Sequence, residues 1–132
     1  KLINVDSEEE GIFTVSCAGG SMAQCTLPVT RAPYGGAALE VTVRGLAGGH
    51  SGTEIHKGRA NACVLLGRLL QAMAERTELR LVTAAGGGKD NAIAVEASAQ
   101  VVVSDDAVAR QAADKSARHN ERLSKIEQEV SG

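Results

Sequence analysis

The sequence is poor in aromatic residues, with one Phe, one Tyr and no Trp among 132 residues. Aromatic side chains often dominate a protein core, so a core here must be built from Ala, Val, Leu and Ile. Apolar residues make up 43% of the sequence, and this length is enough for one domain with such a core. We therefore expect a single domain packed from aliphatic side chains.

An excess of positive charge is also missing, because 14 Lys and Arg stand against 16 Asp and Glu. Nucleic acids and anionic membranes are usually bound by basic patches or runs. No apolar run approaches the roughly 20 residues that a membrane span needs. No signal-peptide pattern is present at the start either, where an apolar stretch follows Lys1 directly. We expect a cytoplasmic protein without nucleic-acid or membrane partners.

Cysteine is too scarce for a disulfide framework. The three residues Cys17, Cys25 and Cys63 are odd in number and form no CxxC pair, which favours reduced thiols in a cytosolic protein. The chain also begins with Lys1 instead of Met, and it opens on a strand pattern. It is therefore expected to be a segment of a longer protein.

From residue 39 onward the hydrophobic pattern predicts a regular order of elements. Alternation at 39–44 predicts a half-buried strand, and 3.6-residue periodicity predicts a helix over about 58–75. Strands are predicted at 79–84 and 93–103, followed by a helix that Ser104 caps. The order β-α-β-β-α predicts an α+β fold of the ferredoxin-like type, lacking its last strand. The apolar stripe of the first helix is Ala62, Leu66, Leu69 and Met73.

The residues before this pattern are expected to add short extra strands. LINV at 2–5 and IFTVSC at 12–17 have strand composition. Residues 22–31 are a weaker candidate, and Pro28 favours an edge position for them.

The stretch GLAGGHSGTEIHKGRANA at 45–62 contains the most unusual residues. Its glycines form neither a GxGxxG nor a Walker motif, which argues against a nucleotide site. His50 and His56 are six residues apart, so they lack the i, i+4 spacing of two zinc ligands on one helix, and a catalytic zinc needs about three. A metal site within this stretch alone is therefore not expected.

For three polar residues, a structural interpretation competes with a functional one. His50 either works on a ligand that the glycines allow to approach, or only caps a turn. Asp6 ends an apolar strand and either points into a cleft or belongs to a solvated acidic turn with Glu8, Glu9 and Glu10, which composition alone favours. His119 lies on the apolar side of the last helix, where a packing role is the simpler interpretation.

Three motifs in order resemble one enzyme family. LINVDSEEEGIFTVSCAGG, VTVRGLAGGHSGTEIHKGRANA and GGGKDNAIAVEA are similar to bacterial aminoacyl-histidine dipeptidases (peptidase D), relatives of the carnosinases with two catalytic zinc ions. The resemblance covers about residues 2–103. It implies a catalytic domain with an inserted ferredoxin-like lid that makes homodimer contacts. Residues 1–18 would end the catalytic domain, and residues 19–132 would form the lid.

The resemblance also implies roles for three residues. Asp6 matches a ligand of one of the two metals, which are zinc or other divalent ions. His50 matches a lid histidine that stabilises the oxyanion of the substrate carbonyl. Asn91 matches an Asn that hydrogen-bonds the dipeptide, although Ala94 stands where the family motif NAIP has Pro. His56 and Lys57 are expected to position the loop.

The resemblance implies hydrolysis of unblocked dipeptides, Xaa-His in particular, by the whole protein. Its other metal ligands and its general base are expected outside this segment, so the segment alone is predicted to bind no metal and to be inactive. Two alternatives remain. One is an amidohydrolase that removes acyl or carbamoyl groups from amino acids, and the other is a non-catalytic α/β dimerisation module.

Overall fold

The structure is a computed structural model that describes residues 10–13, 15–16 and 19–130, without the side chains of residues 120 and 122–130. The chain divides into two compact units, Lys1–Arg31 and Ala32–Gly132. The second unit contains β1 (Ala37–Val43), α1 (Ala62–Ala74), β2 (Leu79–Gly86), β3 (Ala97–Val103) and α2 (Asp106–Val130). This order confirms the predicted βαββα fold.

The three strands form one antiparallel sheet with β3 in the middle, in the order β1-β3-β2. Val41 pairs with Ala99 on one side of the sheet, and Leu81 pairs with Val101 on the other. A register shift in β2 follows Leu81. Because β3 has a neighbour on each side, its alternate residues from Ala97 to Val103 are the most completely buried of any strand.

One face of the sheet is covered by helices. The predicted stripe of α1 is confirmed, since all four of its members are buried. Met73 and Val101 are each 1% exposed, and Ala109 of α2 is fully buried in the same core. No polar or charged side chain is buried among the residues that the structure describes. The core therefore consists of aliphatic side chains, as the composition predicts, together with the thioether of Met73.

Both helices begin later than predicted, because different residues cap them. Oδ1 of Asn61 accepts hydrogen bonds from the N–H groups of Cys63 and Val64, so α1 begins at Ala62 and not at residue 58. A short 3-10 turn, Ile55–Lys57, precedes it. Asp105 caps α2 by accepting from the N–H of Val108 at 3.1 Å. Ser104, the predicted cap, instead bonds the hydroxyl of Thr77.

The last strand also begins later than predicted, at Ala97 instead of Ile93. Val95, which lies within the predicted strand, is 45% exposed. Backbone groups of residues 91–93 bond the glycine loop after β1, and these bonds replace pairing within the sheet. His119 is exposed, so its predicted packing role is wrong.

The predicted edge strand at 22–31 is wrong, because these residues form no strand. Leu27 and Val29 are 82% and 69% exposed, and a strand without a hydrogen-bonded neighbour is not stable. The described residues of 12–17 form no strand either. The predicted strand at 2–5 lies outside the described residues. Among the described residues, no helix is both long enough and apolar enough to cross a membrane.

Candidate functional site

Two of the three predicted site residues lie on paired backbone segments. The N–H of Ser51 donates to the carbonyl of Asn91 at 2.9 Å, and the N–H of Ile93 donates to the carbonyl of Gly49 at 2.8 Å. These bonds make an antiparallel bridge between His50 and Ala92. The fold therefore brings His50 and Asn91 together from positions 41 residues apart, and both are exposed.

The imidazole of His50 is held by the loop that follows it. Its Nδ1 accepts hydrogen bonds from the N–H groups of Gly52 at 3.0 Å and Thr53 at 3.1 Å. A nitrogen that accepts two N–H groups carries no proton, so the proton of the neutral ring lies on Nε2. The exposed His50 ring therefore presents a hydrogen-bond donor of fixed orientation.

An ion pair joins the backbone on both sides of Gly49, immediately before the His50 side chain. Oε2 of Glu54 accepts from the N–H of His50 at 3.0 Å. The guanidinium of Arg59 contacts both carboxylate oxygens of Glu54, at 3.3 and 3.2 Å, and also donates to the carbonyl of Gly48. We name these two side chains and their two backbone bonds the Glu54–Arg59 clasp. Lys57, which was predicted to position the loop, adds a bond to Oε1 of Glu54.

The clasp lies directly against Gly49, which explains the second glycine of the motif. Gly49 has φ +143°, and a Cβ there would lie 2.7 Å from Oε2 of Glu54 and also collide with Nη1 of Arg59. Neighbouring Gly48 has φ +66°, and a Cβ there would collide with a side-chain methyl of Val95. The two glycines thus provide positive φ and space for the clasp.

The same contacts make Glu54 a permanently charged group at ordinary pH. Hydrogen bonds from Lys57 and from the backbone N–H of His50 lower the pKa of Glu54 from 4.5 to about 2, and the positive charge of Arg59 acts in the same direction. The carboxylate is therefore an acceptor at any pH at which the protein works.

A groove of about 570 Å³ adjoins the segments that carry His50 and Asn91. Its walls are built from small residues, including Gly48, Gly49, Gly86, Gly87, Ala92 and Ala94. Gly86 has no room for a side chain, because a Cβ would lie 2.6 Å from that of Ala97 and 2.7 Å from Sγ of Cys63. Gly86, Gly87 and Gly88 are exposed, so the groove gives access to their backbone.

The described residues do not provide a metal site. Within residues 10–13, 15–16 and 19–130, no three His, Cys, Asp or Glu side chains come together in a way that could hold an ion. Asp6, the predicted metal ligand, lies outside the described residues.

Sequence reasoning missed Glu54 and Arg59. They are five residues apart and belong to no regular element, since the helix begins only at Ala62. The available signal was a pair of opposite charges after a glycine-rich stretch, which is too common to indicate a site by itself.

Residues 41–129 match the peptidase dimerisation domain of the M20 type. This chain belongs to that family. The match covers the predicted lid from the end of β1 through α2.

Curated and solved relatives of the M20 dimerisation domain agree with the motif resemblance. The cytosol non-specific dipeptidase of Escherichia coli strain K12 is 47% identical over 109 residues, covering 81% of this chain. The aminoacylhistidine dipeptidase of Vibrio alginolyticus is 38% identical and superposes with a TM-score of 0.65 over 72% of this chain. The resemblance to aminoacyl-histidine dipeptidases is thus confirmed.

The match is to a part of each relative. This chain spans 22% of the E. coli protein and 20% of the Vibrio protein. A structure of AtUAH with (S)-hydroxyglycine is 19% identical, with a TM-score of 0.55 over 67% of this chain and 24% of that one, and shares the fold.

Proposed function

We propose that this chain is the lid and dimerisation domain of a dipeptidase, and that His50 stabilises the reacting carbonyl of the substrate. The observation that carries the proposal is the pair of N–H groups on Nδ1 of His50. They make Nε2 a donor, and a carbonyl oxygen that gains negative charge during hydrolysis needs a donor. A preoriented donor of this kind contributes roughly 3–4 kcal/mol to transition-state stabilisation.

The proposed substrates are unblocked dipeptides, with Xaa-His favoured. The similarity to dipeptidases from E. coli and Vibrio supports this class. Asn91 is proposed to hydrogen-bond the dipeptide, and its backbone bond to Ser51 holds its segment beside His50. The groove of small residues next to both segments suits a substrate recognised mainly through its own backbone.

The remaining roles of the whole protein rest on the resemblance. Residues 1–18 are proposed to belong to the catalytic domain, with Asp6 as a ligand of one of two zinc or other divalent ions. Such ions would activate the attacking water. Because the other metal ligands and the general base are expected outside this segment, the chain by itself is proposed to be inactive. Chelator-sensitive hydrolysis of an Xaa-His dipeptide by the purified 132-residue chain would contradict this.

We also propose that the whole protein is a cytoplasmic homodimer that assembles through this domain. The family description and the exposed edge strand β2 support it, since Leu81 on that strand is 55% exposed. Sedimentation equilibrium should give twice the chain mass, and replacing Leu81 by Lys should shift the equilibrium to monomer. A wild-type protein that is monomeric at micromolar concentration contradicts the proposal.

The direct test is kinetic, on the full-length protein that contains this chain. His50→Ala is expected to lower kcat on an Xaa-His dipeptide by about one hundredfold or more. Metal content and melting temperature should not change. The matched control is His56→Ala, which removes an exposed histidine six residues away and should keep wild-type kcat. An unchanged kcat in His50→Ala would mean that His50 is only a turn residue.

Parallel assays of the full-length protein on N-acyl and N-carbamoyl amino acids separate the dipeptidase from the amidohydrolase.

A further inference from the structure

The backbone around His50 has two hydrogen-bonding edges, and they are filled by different partners. On one edge, the carbonyl of Gly49 and the N–H of Ser51 bond residues 91–93. On the other edge, the carbonyl of Gly48 and the N–H of His50 make no bond to residues 91–93 in the described structure. The Glu54–Arg59 clasp fills this second edge.

We propose that Glu54 and Arg59 are positioning residues that hold His50 in its working orientation. Their side chains form the two backbone hydrogen bonds, to the N–H of His50 and the carbonyl of Gly48, that a neighbouring strand would otherwise form. The carboxylate accepts where a strand carbonyl would, and the guanidinium donates where a strand N–H would. This inference rests on the proposed role of His50 as the donor to the substrate carbonyl.

The loop needs such support because its backbone is unusually free. Gly48 and Gly49 precede His50, and glycine loses more conformational entropy on ordering than any other residue. Bonds to a charged group are about twice as strong as neutral ones. A side chain joined to the loop by one bond could swing, whereas the two contacts between Arg59 and Glu54 keep both ends of the clasp in place.

Lys57 provides a matched comparison within the same cluster. Its Nζ pairs with Oε1 of Glu54, but in the described structure it makes no side-chain bond to the backbone of residues 48–51. Removing Lys57 therefore takes away a charge from the cluster and leaves both bonds of the clasp to the loop. If only net charge mattered, Lys57 and Arg59 would be equivalent.

The test uses the full-length protein and an Xaa-His dipeptide. Glu54→Gln keeps the length of the side chain, but its NH2 group faces donors, and Arg59→Lys keeps the charge but loses the two-pronged contact. Each is expected to lower kcat by about tenfold to a hundredfold, with KM changed less than threefold. Lys57→Ala should stay within about threefold of wild type. All three variants should unfold cooperatively and well above the assay temperature, so that kcat is measured on folded protein.

A double mutant separates positioning from a general structural effect. If the clasp acts through His50, then adding Glu54→Gln to His50→Ala should lower kcat no further. If Glu54 supports catalysis by another route, the same loss should appear in both backgrounds, which would overturn the proposal.

Hydrogen exchange provides a readout that does not depend on activity. Peptides covering residues 48–53 should exchange faster in Glu54→Gln and Arg59→Lys than in wild type, while peptides from β3 should not change. Wild-type kcat and exchange in both variants, with a loss of kcat in His50→Ala, would overturn the clasp and leave the proposed function intact. Wild-type kcat in His50→Ala would overturn both.

Discussion

The packed layer and the His50 loop are held together by opposite kinds of contact. The packed layer, which we define as α1 against the three strands, contains only apolar side chains in its described core. The His50 loop, residues 48–59, is held by backbone hydrogen bonds and by ion pairs centred on Glu54. The two regions are adjacent in sequence and meet at Asn61, the cap of α1.

This difference assigns stability and geometry to different residues. Apolar burial is roughly proportional to area and has no preferred direction, so it stabilises the layer without fixing any one atom closely. Hydrogen bonds weaken steeply when bent, so they set the position of the His50 ring but contribute little net free energy. Substitutions in the layer should therefore change mainly the free energy of unfolding, and substitutions at the contacts that hold the His50 ring should change mainly kcat.

The largest effect on stability is expected for Met73→Ala. Met73 is 1% exposed at the centre of the core, so its truncation leaves a cavity and should lower the free energy of unfolding by about 2–5 kcal/mol. Urea unfolding of the chain followed by far-UV circular dichroism measures this. Met73→Leu, which conserves volume, should lose less than about 1.5 kcal/mol. Equal losses in both variants would mean that the core tolerates no repacking and that its shape is as strictly defined as the loop.

Gly49→Ala is the corresponding change in the loop. The substitution imposes positive φ on Ala and places a methyl group against Glu54 and Arg59, so the strain should be about 1–3 kcal/mol. We expect the loop to relieve it by opening the clasp, with faster hydrogen exchange at residues 48–53 and lower kcat in the full-length protein.

Gly45→Ala is the control for backbone strain alone. Gly45 also has positive φ, +80°, but a Cβ there meets no atom within 4 Å. Its stability loss should be about 1–2 kcal/mol without a change in loop exchange. If Gly45→Ala also accelerates exchange at residues 48–53, the clasp is sensitive to strain anywhere nearby, and the separation between the two regions is false.

The packed layer could be predicted from the sequence because periodicity reports burial directly. The stripe from Ala62 to Met73 and the alternation in β1 both required only the repeat of a helix or a strand. The start of β3 could not be predicted, because it depends on bonds between distant loops. The start of α1 was missed for a local reason, since Asn61 caps the helix after the start that periodicity indicated. Residues 91–93 continue the strand pattern, yet they pair with Gly49 and Ser51 and not with β2.

The site was predictable only in part. His50 and Asn91 were identified through motifs, and their proximity follows from a bridge that no local pattern encodes. Glu54 and Arg59 were missed, because a five-residue spacing outside a helix has no periodic signature. A strand prediction at 22–31 failed for the related reason that composition does not reveal whether a partner strand exists.

Gly67→Ala should affect the packed layer alone and in the stabilising direction. Gly67 lies inside α1, and a Cβ there meets no atom within 4 Å. Replacing an exposed helical Gly by Ala stabilises by about 0.5–1 kcal/mol, mainly by restricting the unfolded chain. The urea midpoint should rise, while kcat and exchange at residues 48–53 stay at wild-type values. A change in kcat would show that the stability of α1 is transmitted to His50 through the cap at Asn61.

The smallest effect is expected from acid, acting on the loop through Glu54. Its pKa is lowered from 4.5 to about 2 in the folded protein, so the folded state binds this proton more weakly than the unfolded state does. The stabilising contribution of Glu54 is therefore complete above pH 4.5 and is lost as the pH falls toward 2. Because Glu54 is partly exposed, solvent screens the contribution, and only its direction is predicted.

The measurement compares urea unfolding of wild type and Glu54→Gln at pH 6 and near pH 2. Wild type should be the more stable at pH 6, and the difference should shrink at low pH, since the variant has no carboxylate to protonate. Lys57→Ala removes the largest cause of the lowered pKa, so the loss of stability should still begin near pH 4.5 but be smaller and end at higher pH. A difference that stays constant from pH 6 to 2 would mean that Glu54 acts through packing and not through charge. The loop would then resemble the packed layer more than its contacts indicate.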